Sequence, residues 1–223
     1  MTVVAELVRV TVDLRQGDTE RAVCRDLPLE EYGPGSFYGD CRDPLAIVEF
    51  PDTGDEYRGR CSRAVRENAN YAHRLGYRHE TIDRADWTDD LYEIRASAPV
   101  RQGRAMPAAY LRRQEYPHDP EPDCAHHGYT VHGVIGPDER LAGYAQIVQC
   151  GEMARLNTII GHADRLRDRV MWLLMLEAFR WHIDRCGARF GLYYTHDSGH
   201  GDGLRYWKER FGMRPTDATW GFA

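Results

Sequence analysis

The sequence predicts an α/β fold, more narrowly an α+β domain built on a mixed central sheet. Two apolar strand patterns joined by a Gly-Pro-Asp turn lie between residues 128 and 150, and a third strand is expected at 153–161. Residues 165–186 then carry a wide apolar stripe and stop before Gly187, which indicates the longest helix of the chain. A strand at 190–194, a short helix and a last strand at 218–222 follow. A meander that leads into a long helix and then a parallel strand produces a mixed sheet with helices packed on it.

The first half of the chain begins with strands and continues with helices. Residues 3–50 contain short apolar runs split by turn residues, which indicates two or three strands and a long loop. Residues 51–60 are predicted to be a polar connector. Ser62 is placed to cap a helix that ends at Gly76, and a strand follows at 77–82.

A second helical pattern follows in the middle of the chain. Thr88, with two aspartates after it, is a helix start, because acidic side chains stabilise the positive end of the helix dipole. This helix is expected to end before Pro99. A basic loop at 100–106, a short helix at 107–113 and a loop rich in proline and histidine at 115–127 complete this region.

Length and composition limit the classes of protein to which the chain can belong. Its 223 residues suit a single domain, for which we expect N-terminal strands and a loop in 1–60, a helical acceptor-side segment in 61–127 and the core in 128–223. The net charge of −6 argues against a surface that coats nucleic acid. No apolar run is long enough to cross a membrane, and the first residues do not resemble a signal peptide.

The cysteines and histidines of the sequence indicate the cellular compartment and whether a metal site is to be expected. The six cysteines are scattered without a Cys-x-x-Cys pair, which favours free thiols and a cytoplasmic location. Cys124, His126 and His127, with His118 and His132 nearby, follow no known zinc spacing. No metal site is therefore predicted.

Lysine usage singles out one residue. Lysine and arginine together number 29, and Lys208 is the only lysine among them. It lies beside Trp207 in the short helix that follows a polar loop. Lysine is a compact charge whose pKa shifts readily, whereas arginine is a permanent planar fork. A lone lysine at this place indicates a need for an ammonium group, with chance survival as the alternative.

The order of elements and three stretches of sequence resemble the GNAT acyltransferase superfamily, and more closely its Fem-type branch of aminoacyl-tRNA-dependent peptidyl transferases. Residues 62–82 resemble the helix and strand that follow the first Fem-type strands, and residues 141–186 resemble the GNAT meander and donor helix. Residues 203–215, GLRYWKERFGMRP, are similar to the Fem-type C-terminal signature of an aromatic-lysine pair followed by Phe-Gly. The resemblance implies a GNAT-fold acyltransferase whose donor substrate is acyl-CoA or an aminoacyl-tRNA.

The chain departs from the acyl-CoA-dependent enzymes of this superfamily before the long helix. Those enzymes bind a pyrophosphate on the backbone N–H groups of a glycine-containing loop. Here Asp168 and Val170 stand at the positions of the glycines, among Arg165, Arg167 and Arg169. Because a carboxylate repels a pyrophosphate, we expect any donor phosphate to be bound by arginine side chains. Local Arg–Asp pairing at a solvated helix start is the alternative.

Acyl transfer to an amine requires a base and a group that stabilises the oxyanion. His196 and Asp197, in the polar loop after the strand at 190–194, are candidates for the base. The resemblance implies that Lys208 faces the donor, where it would stabilise the oxyanion or a donor phosphate. The alternative for this loop is a turn in which Asp202 caps the next helix.

The remaining candidates are expected to bind substrate. One group lies in and after the basic loop and suits a carboxylate or phosphate on the acceptor: Arg101, Gln102, Arg104 and Tyr110. The other group lies near the third strand of the meander or near the lysine helix: Asn157, His162, His200 and Trp207. A solvated loop or a core hydrogen bond is the alternative for these residues. The acceptor is expected to be a small molecule or a nucleotide-containing compound.

A second function on the same fold stays open. A non-catalytic protein would bind a nucleotide or nucleic acid through arginines of two helices: Arg63, Arg66, Arg165, Arg167 and Arg169. Tight binding without any response to acyl donors would distinguish this function from acyl transfer.

Overall fold

A computed structural model of the chain describes residues 8–13, 44–101, 103–119, 127–197 and 202–221. The strands are β1 (Val8–Asp13), β2 (Leu45–Glu49), β3 (Arg78–Thr81), β4 (Val100–Arg101), β5 (Arg104–Ala105), β6 (His127–Ile135), β7 (Leu141–Cys150), β8 (Met153–Gly161), β9 (Phe190–Thr195) and β10 (Arg214–Gly221). The helices are α1 (Gly54–Arg60), α2 (Arg63–Arg74), α3 (Thr88–Ala96), α4 (Val170–Cys186) and α5 (Asp202–Arg210).

Eight of these strands form one mixed sheet in the order β1-β10-β2-β9-β8-β7-β6-β3, and β4 and β5 form a separate hairpin. The pairs β1–β10 and β8–β9 are parallel, and the other neighbours in the large sheet are antiparallel. The predicted mixed α/β fold is therefore confirmed. The order of meander, long helix, strand, helix and strand is confirmed as well.

Helix ends are determined by short-range signals that the sequence shows directly. The Ser62 hydroxyl accepts a hydrogen bond from the Val65 N–H at the start of α2. Gly187 ends α4 with a left-handed φ of 66°, a conformation that glycine adopts without steric cost. Both ends lie within a residue of the predicted positions.

The structure corrects four local predictions. Residues 54–60, predicted as a connector, form α1, whose N-terminus is capped by the Thr53 side chain. The predicted loop at 100–106 contains the β4–β5 hairpin, and the predicted helix at 107–113 is a series of turns. The longest helix begins at Val170 rather than 165, because a 3₁₀ turn (Ala163–Asp168) and a left-handed Arg169 precede it.

Two hydrophobic clusters lie on opposite faces of the sheet. Helices α1, α2 and α4 pack together over one face, with Phe179 and Ala145 in their cluster. Helix α3 packs against β7 and β8 over the other face, where Tyr144 lies in the second cluster. Because successive residues of a strand point to opposite faces, the neighbours Tyr144 and Ala145 mark the two sides. Among the described residues, no helix combines the length and the apolar character needed to span a membrane.

A chain of three histidines is buried under α4. His79 Nε2 lies 3.0 Å from His132 Nδ1, and His132 Nε2 lies 3.1 Å from His182 Nε2. His182 Nδ1 lies 2.9 Å from Gln149 Oε1, and the Gln149 amide donates to the Gly151 carbonyl. Since that amide is the donor to Gly151, its oxygen must accept from His182 Nδ1–H. The tautomers of neutral His132 and His79 follow, each donating from Nε2 to the next ring.

Burial keeps this chain neutral. It lowers the pKa of His79 to about 4 and that of His182 to about 3, and it holds the pKa of His132 well below its ordinary value. A positive charge on another histidine would lower these pKa values further. For His79 this histidine is His73, for His132 it is His182 and also His79, and for His182 it is His79. Among the described residues, no group of His, Cys, Asp and Glu side chains is arranged to hold a metal ion. Cys124 and His126 lie outside the described residues.

Candidate active site

The candidate site begins where β8 and β9 separate. The two strands pair in parallel only from Met153 opposite Phe190 to Arg155 opposite Leu192. Beyond these pairs β8 continues beside β7, and β9 continues beside β2. The residues after Arg155 and after Leu192 therefore form the two walls of a cleft at the centre of the sheet, near the start of α4. We call this the central cleft.

Each wall of the central cleft contains an irregularity in strand pairing. On β8, Leu156 pairs with Ile147 and Thr158 with Gln146, so that Asn157 is an extra residue without a partner on β7. Asn157 is exposed, as expected for a residue that faces a site. A β-bulge of this kind turns side chains and backbone groups away from the regular ladder, and bulges occur often beside active sites.

On β9 the extra residue falls at a tyrosine pair. Leu45 pairs with Thr195 and Ile47 with Leu192, so both Tyr193 and Tyr194 lie opposite a single residue of β2. Tyr194 has a φ of 56° and its side chain is 48% exposed. A bulky residue with positive φ is strained, and such strain is found often at functional sites. The sequence prediction missed Tyr194, because it assigned the stretch to a buried strand.

Lys208 approaches the central cleft from α5. Its side chain was expected to face the cleft, but it is fully buried, and its Nζ donates a 2.6 Å hydrogen bond to the Thr195 carbonyl at the end of β9. The ammonium also lies 4.9 Å from the centre of the Tyr193 ring, within the range of a cation–π contact. Burial lowers the pKa of Lys208 to about 8, although Asp197 opposes this by favouring the cation. The site thus holds an ammonium with few partners.

The two candidate bases lie at the same end of β9. The His196 N–H donates a 2.7 Å bond to the Pro44 carbonyl, which fixes the residue directly after the strand. Its Nε2 is buried, lies 3.7 Å from a Glu209 carboxylate oxygen and makes no hydrogen bond to the described residues. Burial lowers the pKa of His196, which keeps the ring neutral and able to accept a proton. Asp197 is exposed beside it.

The structure therefore brings the three proposed catalytic residues together. The pKa of His196 responds to the charges of Lys208 and Asp197, and that of Lys208 responds to Asp197. Trp207 lies next to this group, in an aromatic cluster with Trp172, Tyr193 and Phe211 that packs α5 on α4. His200 lies outside the described residues.

The residues that were predicted to bind the acceptor make different kinds of contact in the structure. Arg101 donates to the carbonyls of Gly161 and Ile94, at 2.9 and 2.6 Å, and so ties the hairpin to the end of β8. The Tyr110 ring contacts the guanidinium of Arg95, 5.3 Å away. Arg104 lies in β5, and Gln102 falls outside the described residues. Arg101 is thus committed to backbone groups.

Many polar groups of the turn before α4 are engaged in hydrogen bonds within the protein. His162 caps it, its Nδ1 accepting a 3.3 Å bond from the Asp164 N–H, and the Asp168 carboxylate accepts a 2.6 Å bond from the Tyr77 hydroxyl. Arg165 binds Asp138 and Tyr77. Arg169 N–H donates to the Leu166 carbonyl inside the turn. Few backbone N–H groups are therefore left for a ligand, although Arg167 and Arg169 are exposed.

A cavity of about 440 Å³ lies beside this turn. His162, Arg165 and Arg167, which the sequence prediction placed in two separate groups, line it together with Arg140. It is also lined by five carboxylates: Asp90, Glu93, Asp138, Asp164 and Asp168. Since carboxylates outnumber guanidinium groups, the cavity does not suit a pyrophosphate.

The fold is similar to that of known structures. The crystal structure of FemX matches 76% of this chain with a TM-score of 0.55 at 12% identity, and the chain spans 58% of FemX. The structure of L-PGS from Bacillus licheniformis matches 77% of this chain with a TM-score of 0.50 at 12% identity, and the chain spans 57% of it. This chain thus covers little more than half the length of either protein.

These likenesses confirm the predicted fold, which is the fold that the resemblance to Fem-type proteins implied. No protein-family model and no curated protein matches the sequence.

Proposed function

We propose that this chain is an acyltransferase that moves an acyl or aminoacyl group from an activated donor to an amine of an acceptor. The observation on which this depends is the position of Lys208. Its ammonium lies at the carboxyl end of β9, where two bulged strands separate, and beside His196, a half-buried histidine whose Nε2 is enclosed. A GNAT-type fold with a cation and a base at this place is suited to bring two reactants together and to stabilise an oxyanion.

The proposed chemistry follows from these groups. The acceptor amine attacks the acyl carbonyl, forming a C–N bond, and His196 accepts the amine proton because burial keeps the ring neutral. Lys208 stabilises the negative charge on the carbonyl oxygen with the N–H donors that do not bind Thr195. The C–O or C–S bond to the donor then breaks, and the leaving oxygen or sulfur takes a proton. Asp197 is the alternative base.

The donor is proposed to be an aminoacyl-tRNA in preference to acyl-CoA. The turn before α4 uses its N–H groups internally, and the Asp168 carboxylate stands where a pyrophosphate would lie against the helix. The exposed Arg167 and Arg169 are available for phosphates of a larger donor. The Fem-type resemblance supports the same choice.

The binding-protein alternative gains no support from its arginines. Arg66 donates to the carbonyls of Gly59 and Cys61 and so stabilises the α1–α2 connection. Arg63 pairs with Glu67 on the same helix, and Arg165 with Asp138. Three of the five side chains are therefore engaged within the protein.

A transfer assay tests the proposal. Purified protein is mixed with a set of primary amines and with either total tRNA charged with radiolabelled amino acids or a labelled acyl-CoA. We expect label in an amide product with the charged tRNA, and little with acyl-CoA. Transfer from acyl-CoA alone would overturn the proposed donor. No transfer from either donor, from protein shown to be folded, would overturn the proposed function.

A further inference from the structure

Arg95 is a buried cation to which the described part of the chain supplies no carboxylate partner. Its side chain is on α3, beneath the turns at 107–119, and the residue is only 4% exposed. Its Nε donates a 2.8 Å bond to the Tyr144 hydroxyl, and its Nη1 donates to the Tyr116 hydroxyl. The rings of Tyr110, Tyr116 and Tyr144 surround the guanidinium at 5.3–5.5 Å. Among the described residues, no carboxylate lies within ion-pair distance of it.

A second cation lies close by. Arg101 approaches the same Tyr144 closely enough to interact with it electrostatically, and its Nη2 donates to the carbonyl of Ile94, the residue before Arg95. Arg101 Nε is buried without a hydrogen bond to the described residues. Arg95, which is buried, and Arg101, which is half-buried, thus share one region in which the described residues offer only neutral partners. Removing a charge from water without a counter-ion is costly, so this arrangement is unfavourable on its own.

Other enclosed arginines of the chain are arranged differently. Arg84 also lies among tyrosine rings, those of Tyr116 and Tyr129, but it forms an ion pair with Asp119. Arg180 on α4 is paired with Glu177. Arg84 and Arg180 therefore each have a carboxylate partner, whereas the described residues supply none for Arg95.

We propose that Arg95 binds a carboxylate of the acceptor substrate. A guanidinium presents parallel N–H donors that match the two oxygens of a carboxylate. At present Nη1 has two neutral oxygens as partners, the Tyr116 hydroxyl and a long 3.4 Å contact to Gln114 Oε1. Both residues belong to a segment without helix or strand, so a carboxylate can replace them without breaking regular structure.

Arg95 and the central cleft lie along the same face of β7 and β8. Arg101 binds the Gly161 carbonyl at the end of β8, and Tyr144 pairs with Ile160 on that strand. Moving along β7 and β8 on the same face leads from Tyr144 to the bulge at Asn157. An acceptor held by its carboxylate at Arg95 would extend along this face toward the cleft. This step rests on the proposed acyl transfer, whereas the anion site itself does not.

A thermal-denaturation experiment tests the anion site without any turnover. The midpoint is measured in chloride, acetate, benzoate and inorganic phosphate at equal ionic strength, for the parent protein, Arg95→Met and Arg84→Met. Arg84→Met is the matched control, because it removes an arginine from the same tyrosine cluster that already has a carboxylate. At a carboxylate concentration about 100 times Kd we expect the parent midpoint to rise by roughly 5 °C over chloride. Arg84→Met should keep this response, and Arg95→Met should lose it.

The outcomes separate the alternatives. In chloride, Arg95→Met should melt at or above the parent temperature, since it removes an unpaired charge, whereas Arg84→Met should melt lower. A response to phosphate alone, lost in Arg95→Met, would overturn the carboxylate assignment. If no anion stabilises the parent more than Arg95→Met, the site is refuted even where acyl transfer is observed. Should Arg95→Met not fold, Arg95→Lys replaces it, with an expected loss of about tenfold in carboxylate affinity.

Discussion

The buried histidine chain and the cluster around Lys208 differ in how completely their polar groups are paired. In the histidine chain, His132 has a partner at both ring nitrogens, and so does His182. Lys208 has three N–H donors, of which one is bonded to Thr195 among the described residues. His196 Nε2 has no hydrogen-bond partner there. Both regions are buried, but only the first is satisfied.

This difference shows that burial of a polar residue does not indicate its role. A fully paired network stabilises a unique core, whereas each unpaired group raises the free energy of the folded state. Natural proteins tolerate such a cost mainly at functional sites. The contrast therefore supports a structural role for the histidine chain and the proposed catalytic role of the Lys208 cluster, and substitutions in the two regions should have different effects.

The largest effect is expected on turnover at Lys208. Lys208→Ala should lower the rate of acyl transfer on the order of 10²-fold, about 3 kcal/mol, because the oxyanion loses its nearest cation. Lys208→Arg should lose most activity too, since the guanidinium does not fit the space of a buried ammonium. Rates are measured with the donor and acceptor that the transfer assay identifies. Arg205→Ala, an exposed cation on the same helix, is the control and should keep its activity.

Stability of a Lys208 variant sharpens the comparison. Lys208→Met retains length and removes charge, so its free energy of unfolding should equal or exceed that of the parent protein. A large loss of stability in Lys208→Met would show that the lysine is a structural residue. Activity of Lys208→Ala equal to that of the parent would show the same.

In the histidine chain, a loss of stability is expected instead of a direct loss of turnover. His132→Leu leaves the His79 N–H and the His182 Nε2 without partners, which should lower the free energy of unfolding by about 3 kcal/mol. Urea denaturation measures this loss. His118→Leu, which removes an exposed side chain, should leave the free energy of unfolding almost unchanged. Equal effects of the two substitutions would contradict a structural role for the chain.

The smallest effect, counted per histidine and per pH unit, is the pH dependence of stability. The folded-state pKa values of His79 and His182, about 4 and about 3, lie below the ordinary 6.5 of the unfolded chain. Between these pKa values and 6.5, the unfolded chain therefore binds more protons than the folded protein. The stability contributed by the neutral histidines is fully present above pH 6.5 and is lost as the pH falls toward the folded-state pKa values.

Each such histidine should lower the free energy of unfolding by up to about 1.4 kcal/mol per pH unit. Urea denaturation between about pH 6.5 and 5, where most carboxylates are still ionised, isolates the histidines. A stability that stays constant across this window would mean that the three rings do not remain neutral in the folded protein.

Local signals explain what could be predicted from the sequence about the fold. The apolar stripe before Gly187 and the cap at Ser62 each lie within one element, so each could be recognised without knowing which distant residues pack against it. The start of α4 was misplaced because a 3₁₀ turn and a left-handed Arg169 resemble a helix in side-chain pattern alone.

Candidate site residues could be recognised from the sequence only where a reactive side chain directly follows a predicted strand or is unusual in the composition. His196 and Asp197 follow a strand directly, and a single lysine is visible in any composition. Tyr194 was missed, since a bulge depends on the register of the neighbouring strand. Arg101 was predicted to bind substrate, but it binds the Gly161 carbonyl, 60 residues away in the chain.

By itself, the sequence determined the order of strands and helices, the class of fold and the presence of an ammonium near the end of β9. Only the tertiary structure decided which buried polar groups are paired. The histidine chain joins residues 50 and 33 positions apart, and Arg95 meets Tyr144 across 49 positions. Hydrogen bonds and counter-ions act over a few ångströms, and residues so far apart in the chain come within that range only when the sheet and its two helical layers assemble.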